Sequence, residues 1–260
     1  MTSTGVLVTR PAGQGEALCK ALTAQGFRPL RQPLITIEPL PRLAPAQLQL
    51  VRDIDHFQHL VFVSSNAVTL GMAQIMDCWP QLPAHLCWYT LGSGSAALLA
   101  DFGVTVIRPA TEMSSEGLLD LPELQLLEGQ KLLIIKGVGG RTLLQEALTA
   151  RGARVEQLAV YRRCCPALPS GQLAAQLQEN AVSSVLISSG EGLRNMVSLL
   201  GEAALTVLQR VTLVVPSQRV ALLAREIGAS RVVEAANAGD DAMLHALQSD
   251  PDIQPERESR

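Results

Sequence analysis

Short apolar runs alternate with amphipathic stretches along most of the chain. In residues 5–32, an apolar run is followed by a glycine-containing loop and then by apolar pairs at Ala17/Leu18 and Ala21/Leu22. Apolar pairs four positions apart are typical of a helix that packs on a sheet. A glycine and a second apolar run follow. The pattern therefore predicts a strand–helix–strand unit with parallel strands.

This unit occurs twice. Residues 5–32 align without gaps on residues 131–158, and the motif ALTAQG at 21–26 returns as ALTARG at 147–152. Internal duplication of this kind indicates repeated supersecondary structure. Two looser repeats each run from a strand into a small-residue loop and a helix: 59–72 with 183–196, and 88–107 with 212–233.

The order of the repeats predicts the domain organisation. If each domain needs one copy of each repeat, the opening copy must join the last two. Apolar residues make up 47% of the chain and aromatic residues only 3%, which favours buried parallel strands covered by helices. We therefore predict an α/β fold with two doubly wound parallel-sheet domains joined by a two-stranded linker. The predicted parts are a discontinuous domain (1–32 and 165–250), an inserted domain (40–157), two linker strands (33–39 and 158–164) and a flexible tail (251–260).

Composition and charge exclude several classes of function. The net charge is −3 and no basic cluster stands out, so we predict no nucleic-acid partner. We expect no signal peptide and no membrane span. The five cysteines show no metal-type spacing, which favours reduced thiols in the cytoplasm. We expect His56 and His59 to form a solvated surface pair, and we assign no metal.

Small and hydroxyl residues follow the predicted strands where helices begin. Free N–H groups and the helix dipole at such starts hold carboxylates or phosphates. For a single loop, ordinary N-capping explains the serines better, whereas several such loops at one cleft favour the binding of several anionic groups. The loop residues are Ser64, Ser65, Asn66, Gly92, Ser93, Gly137, Gly140, Ser188, Ser189, Gly190 and Ser217.

Three further residues are candidates for chemistry. Arg10 and Lys136 occupy equivalent repeat positions at strand ends, where they either face a ligand or serve solubility. The motif GVGG at 137–140 only partly matches a dinucleotide loop, because Thr142 stands at its third glycine position. Tyr161 lies in a predicted linker strand. A phenol is protonated at neutral pH and can donate a proton, although a strand-favouring tyrosine is an equal reading.

The segments together resemble the uroporphyrinogen-III synthase family. The resemblance spans nearly the whole chain in family order, and the combination of segments carries it. The resembling segments are VLVTRPAGQ (6–14), PLITIEP (33–39), FVSSNAV (62–68), SSEGLL (114–119), KGVGGR (136–141), RGARVEQLAVYRR (151–163), SSGEGLRN (188–195) and VVPSQRVALLAREIG (214–228).

The resemblance implies a cyclising lyase of tetrapyrrole biosynthesis with its site between two domains. Linear hydroxymethylbilane would lose water and close to uroporphyrinogen III with ring D inverted, without a cofactor or metal. The implied partners are this substrate, with its eight carboxylates, and hydroxymethylbilane synthase upstream. We expect a monomer with no membrane partner.

The resemblance also assigns residues. The family tyrosine falls on Tyr161 as the catalytic residue, and Ser95 stands where relatives often have threonine. The matching segments add Ser114, Arg141 and Arg219 to the substrate-binding residues. Two alternatives remain at this stage: a non-enzymatic bilobal binding protein for a polyanionic ligand, and a two-lobed glycosyl- or nucleotidyl-transferase.

Overall fold

The computed structural model describes residues 4–110, 114–250 and 253. The described residues divide into two compact units. Unit 1 contains the chain up to Thr36 and from Cys164 onward, and unit 2 contains Ile37–Arg163.

The described chain contains eleven strands and eleven α-helices, which alternate except where β3 follows β2 and α9 follows α8. The strands are β1 (Gly5–Val8), β2 (Arg28–Arg31), β3 (Thr36–Pro39), β4 (His59–Phe62), β5 (Cys87–Thr90), β6 (Val106–Ile107), β7 (Lys131–Gly137), β8 (Arg154–Cys164), β9 (Val182–Leu186), β10 (Thr212–Val215) and β11 (Arg231–Glu234). The helices are α1 (Glu16–Ala24), α2 (Pro45–Arg52), α3 (Ser65–Cys78), α4 (Ser93–Ala100), α5 (Ser115–Leu119), α6 (Leu143–Ala150), α7 (Gln172–Glu179), α8 (Gly190–Leu200), α9 (Ala204–Arg210), α10 (Gln218–Glu226) and α11 (Asp240–Ser249).

Unit 1 is built on a five-stranded sheet in the order β11-β10-β9-β1-β2. Its strand pairs are parallel. Leu7 packs in one apolar cluster, whereas its neighbours Val6 and Val8 pack in another. Because successive side chains of a strand point to opposite faces, both faces of this sheet are covered.

Unit 2 has a six-stranded sheet in the order β3-β8-β7-β4-β5-β6. The pairs from β8 to β6 are parallel. Leu133 and Ile135 pack in one cluster, and Leu132 and Ile134 in the other. The prediction of an α/β fold with two parallel sheets covered on both faces is therefore confirmed.

The two sheets share one topology and one register. The order β2-β1-β9-β10-β11 in unit 1 corresponds to β8-β7-β4-β5-β6 in unit 2. Gly5 pairs with Arg28 in the first sheet, and Lys131 pairs with Arg154 in the second. These are the same two positions of the ungapped sequence repeat. The sequence repeat thus corresponds to the same register of strand pairing in both sheets.

The chain changes unit twice, inside the two segments predicted as linkers. The changes fall at Thr36/Ile37 and at Arg163/Cys164. Leu34 is buried in a cluster of unit 1, and β8 is one continuous strand that begins before the predicted linker. Whether the two units fold as separate domains with the predicted bounds stays a prediction.

The predicted tail at 251–260 lies outside the described residues apart from Ile253. Ile253 is buried against the cluster that contains Leu22 and Leu247. Within the described part of the chain, no helix is long and apolar enough to span a membrane.

The prediction of a surface histidine pair is wrong for His59. Its side chain is buried at the start of β4, with Nδ1 3.2 Å from the Tyr89 hydroxyl oxygen, and its Nε2 contacts Oε1 of Gln130. Burial raises the pKa of Tyr89. His56 is exposed as predicted. Among the described residues, no three His, Cys, Asp or Glu side chains group as metal ligands.

Candidate functional site

The small-residue loops of unit 2 follow the carboxyl ends of parallel strands. Ser64 precedes α3 after β4, Gly92 precedes α4 after β5, and Gly137 ends β7. Strands β4 and β7 are neighbours, and the chain order of the sheet reverses between them. Ligands of open α/β sheets bind at such a reversal, outside the carboxyl ends of the strands.

Three of the predicted loop serines cap helices with their side chains. The Oγ atom of Ser64 accepts a hydrogen bond from the N–H of Ala67 at 3.1 Å. Ser114 and Ser189 make the same contact at the starts of α5 and α8. The capping interpretation therefore holds at these three positions. Ser217 is an N-cap residue without such a side-chain bond.

Tyr161 lies over the backbone of Gly137. The register of β7 and β8 shifts after Lys136, so that Gly137 pairs with Tyr161 instead of with the residue before it. Bulges of this kind re-aim side chains next to functional sites. A Cβ atom on Gly137 would lie 2.6 Å from Cε2 of Tyr161, so only glycine permits this approach.

The tyrosine hydroxyl reaches the loop after β4. The hydroxyl oxygen of Tyr161 lies 3.1 Å from Oγ of Ser64. The residue is only 5% exposed, yet it contributes to the wall of a cavity of unit 2. The phenol is thus fixed by a hydrogen bond at its tip and by close packing along its ring.

The loops after β4 and β5 also contact each other. Oγ of Ser65 lies 3.2 Å from Oγ of the buried Ser95. Ser95 therefore has a hydroxyl partner within unit 2. Asn66 is half-buried at the start of α3, and Ser93 is exposed at the start of α4.

Basic side chains surround the cavity at the ends of β7 and β8. The cavity measures about 200 Å³, and its wall includes Lys136, Gly140, Arg141 and Tyr161. Burial, together with the nearby Arg163, lowers the pKa of Lys136. Arg141 lies 3.5 Å from Glu116, with both side chains largely exposed.

The predicted residues of unit 1 form a second group. Gly190 is buried at the start of α8, where a Cβ atom would lie 3.6 Å from Nη1 of Arg219 and 3.9 Å from Nη1 of Arg194. Ser188 is half-buried just before the cap residue Ser189.

Arg10 is engaged inside unit 1. Its guanidinium lies 2.6 Å from the carboxylate of Asp240 and also donates to the carbonyl of Ala238. Its equivalent in the repeat, Lys136, donates instead to the side-chain oxygen of a glutamine, Gln157. The charge of Arg10 is therefore balanced by a carboxylate, whereas the amide that contacts Lys136 leaves its charge available to a ligand.

Sequence reasoning missed Gln145, Gln157 and Arg194. Gln157 was accessible in principle, because it pairs with Ile134 in the register that the repeat predicts. Arg194 follows Gly190 by one helical turn on α8. A polar residue inside a repeat does not indicate a site until the structure shows which side chains it contacts.

Comparisons with known proteins agree on one family. The family model described as "Uroporphyrinogen-III synthase HemD" matches residues 16–245. A uroporphyrinogen-III synthase of Escherichia coli is 37% identical over 252 residues, which cover 94% of this chain and 99% of the relative.

Two solved structures share the fold. One is a mutant uroporphyrinogen III synthase from Thermus thermophilus, with a TM-score of 0.58 and 21% identity over 95% of this chain and all of that chain. The other, from Helicobacter pylori, has a TM-score of 0.57 and 19% identity over 93% of this chain and 97% of that chain.

The fold and the site define the class: an α/β enzyme with two similar parallel sheets, in which helix starts and hydroxyl groups follow the strands and the phenol of Tyr161 on β8 lies beside them. The chain belongs to the uroporphyrinogen-III synthase family, whose members are cyclising lyases of tetrapyrrole biosynthesis.

Proposed function

We propose that this chain converts linear hydroxymethylbilane into uroporphyrinogen III, with inversion of ring D and loss of one water. The observation that carries the proposal is the placement of Tyr161. Its phenol is held by Ser64, lies against Gly137 and faces a cavity lined by Lys136. A protonated phenol beside a cationic cavity suits a substrate that has both a departing hydroxyl and several carboxylates.

The chemical step needs an acid and a defined geometry. The carbon–oxygen bond of the hydroxymethyl group breaks, and the Tyr161 phenol gives its proton to the departing oxygen, which leaves as water. The substituted carbon of ring D then bonds to the freed methylene carbon through a spiro intermediate. Rearrangement breaks the bond between this ring D carbon and its original methylene bridge, and the bridge carbon bonds to the free α-carbon of ring D. Loss of the proton from that α-carbon restores the pyrrole, and the proton can return to the phenolate. Holding the chain for this attack contributes several kcal/mol.

The loops supply the remaining contacts with substrate. Uncommitted N–H groups at helix starts suit carboxylates, because the helix dipole adds to the hydrogen bond. The proposed binding residues of unit 2 are Ser64, Ser65, Asn66, Gly92, Ser93, Ser95, Ser114, Lys136, Gly137, Gly140 and Arg141. Those of unit 1 are Arg10, Ser188, Ser189, Gly190, Ser217 and Arg219.

The setting of the enzyme is part of the same proposal. We place it in the cytoplasm as a monomer that receives hydroxymethylbilane from hydroxymethylbilane synthase. All five cysteines are free thiols, which fits a reducing compartment.

Product analysis tests the proposed function directly. The protein is incubated with hydroxymethylbilane made in place by its synthase, and isomers I and III are separated after oxidation. Because hydroxymethylbilane closes by itself to isomer I, formation of isomer III is the informative signal. A product mixture that matches the sample without this protein contradicts the proposal.

A further inference from the structure

The cavity of unit 2 has room for part of a ligand. Its volume of about 200 Å³ lies below the roughly 300–1,000 Å³ of pockets that hold a whole drug-sized molecule. A carboxylated side chain of a larger substrate fits such a space. The cavity is thus suited to be one subsite of a larger binding surface.

A chain of amides links Lys136 to helix α6. Nζ of Lys136 donates to Oε1 of Gln157 at 3.4 Å, and Nε2 of Gln157 donates to Oε1 of Gln145 at 2.6 Å. The amide of Gln157 therefore presents its NH₂ group to Gln145 and its oxygen to the ammonium. The short bond fixes the glutamine, whereas the long one only directs the lysine.

The described wall of the cavity combines basic side chains with apolar and neutral polar residues. Lys136, Arg141 and Arg163 line it, and no Asp or Glu belongs to the described residues of its wall. Burial lowers the pKa of Lys136, as expected for an ammonium that loses water without gaining a carboxylate. Glu116 pairs with Arg141 from outside the cavity wall.

Glutamine is the partner that leaves this charge available. An amide oxygen can orient an ammonium through a hydrogen bond, and it adds no negative charge that would compete with an anion. A glutamate at the same position would form an ion pair and fill the place of a ligand carboxylate. The residue at position 157 therefore controls the charge of the cavity. Its side chain contacts Lys136 and Gln145 and takes no part in the chemical step.

We propose that this cavity binds one carboxylate side chain of the substrate through Lys136, and that Gln157 is the positioning residue that orients Lys136 while keeping the cavity cationic. The inference rests on the proposed function for the identity of the substrate. Gln145 fixes the amide of Gln157 from the other side.

The first test changes the charge and keeps the shape. We expect Gln157→Glu to raise KM for hydroxymethylbilane about tenfold or more, as for loss of a charge-assisted hydrogen bond, with kcat within about twofold. The comparison is made at neutral pH, where the introduced carboxylate and the substrate carboxylates are all ionised. The matched control is Gln81→Glu, the same change at an exposed position of unit 2, which should leave KM at the wild-type value.

The second test asks whether Gln157 acts through Lys136. Gln157→Leu removes the amide without adding a charge, and we expect a rise in KM of several-fold, smaller than that of Gln157→Glu. In a Lys136→Met background, the same Gln157→Leu change should have almost no further effect on KM. Equal effects of Gln157→Leu in both backgrounds would show a merely structural role and overturn the proposal.

A binding measurement separates this inference from the proposed function. Uroporphyrin III, a fluorescent ring with eight carboxylates, serves as a probe that needs no turnover. If the wild-type protein produces isomer III but Gln157→Glu changes neither KM nor the Kd for the probe, the subsite is refuted and the function stands. If no isomer III forms, yet Gln157→Glu weakens probe binding about tenfold or more, the function is refuted and the subsite stands. Circular dichroism and Tm of each variant establish that it is folded.

Discussion

The two hydrogen bonds of the Ser64 hydroxyl bear on how Tyr161 could transfer its proton. One lone pair of the Ser64 oxygen is occupied by the N–H of Ala67, which leaves that hydroxyl free to donate or accept toward Tyr161. Before proton transfer the phenol can donate to substrate while Ser64 donates to the phenol oxygen. In the proposed mechanism, the same Ser64 hydroxyl would stabilise the phenolate after transfer.

Tyr161→Phe tests the acid role, because it removes only the phenolic hydroxyl and keeps the ring. Because a positioned general acid contributes about a hundredfold or more, we expect kcat to fall by that factor while Tm changes little. The control is Tyr89→Phe, the same change at the other tyrosine, whose hydroxyl bonds to His59. Tyr89→Phe should keep kcat and lose about 1 kcal/mol of unfolding free energy. Unchanged turnover and pure isomer III from Tyr161→Phe would leave the enzyme as a folding template without this acid.

Gly137→Ala tests the packing that places the phenol. The added Cβ would meet Cε2 and Cζ of Tyr161 at 2.6 and 2.8 Å, so the ring must move away from Ser64. We expect kcat to fall about tenfold or more, in line with the cost of misplacing a catalytic group. The change should add little to Tyr161→Phe in the double variant, since the hydroxyl is then already absent. Additive losses in kcat would place the role of Gly137 elsewhere.

At the scale of strands and helices, the repeat predicted the elements well because each copy carries its own apolar pattern. It did not predict the bulge that pairs Gly137 with Tyr161, since the ungapped alignment ends at residue 158, before the register shifts. The capping bonds of Ser64 and Ser189 follow from known preferences for serine at helix starts. What the loops do beyond capping depends on side chains brought in by other elements.

The loop after β7 provides a test of charge at one backbone position. Gly140 has φ of +89° and lines the cavity, so any side chain strains the backbone there and enters the site. Gly140→Gln and Gly140→Glu share that strain, which costs about 1 kcal/mol or more of stability. We expect Gly140→Glu to have the higher KM, by about tenfold, because it repels substrate carboxylates. Equal KM values for the two variants would remove this loop from the binding surface.

At the scale of the molecule, duplication preserved the backbone and let the side-chain environments diverge. Arg10 and Lys136 occupy the same position of the repeat, and the sequence treats them alike. In the structure Arg10 pairs with Asp240 at the start of α11, whereas Lys136 meets Gln157 within its own repeat unit. The partner of Arg10 comes from a distant part of the chain, so the local pattern could not predict it. The order of the strands in each sheet could be predicted, because it depends on pairing inside and between the repeats and not on single side chains.

The discontinuous order of the strands in unit 1 can be tested with fragments of the chain. Strand β1 lies between β9 and β2 in its sheet, and Val6, Leu7 and Val8 contribute to both of its apolar clusters. A fragment that starts at residue 164 lacks β1, β2 and α1. It would expose the edge of β9 and the apolar residues that faced these elements, which costs about 25 cal/mol per Å² of apolar surface. Residues 37–163, by contrast, contain the six strands of the second sheet apart from Thr36 at the start of β3 and Cys164 at the end of β8.

We therefore expect the fragment 37–163 to melt cooperatively on its own and the fragment 164–260 to show no native-like melt. Joining residues 1–36 to residues 164–260 through a short flexible linker should restore a cooperative transition, because the missing central strand and its helix return. Thermal unfolding followed by circular dichroism compares the three fragments, and near-ultraviolet signals and amide exchange distinguish packed from collapsed states. A cooperative, native-like melt of 164–260 alone would show that the N-terminal strand is dispensable, and the discontinuous domain would then be the wrong description of this chain.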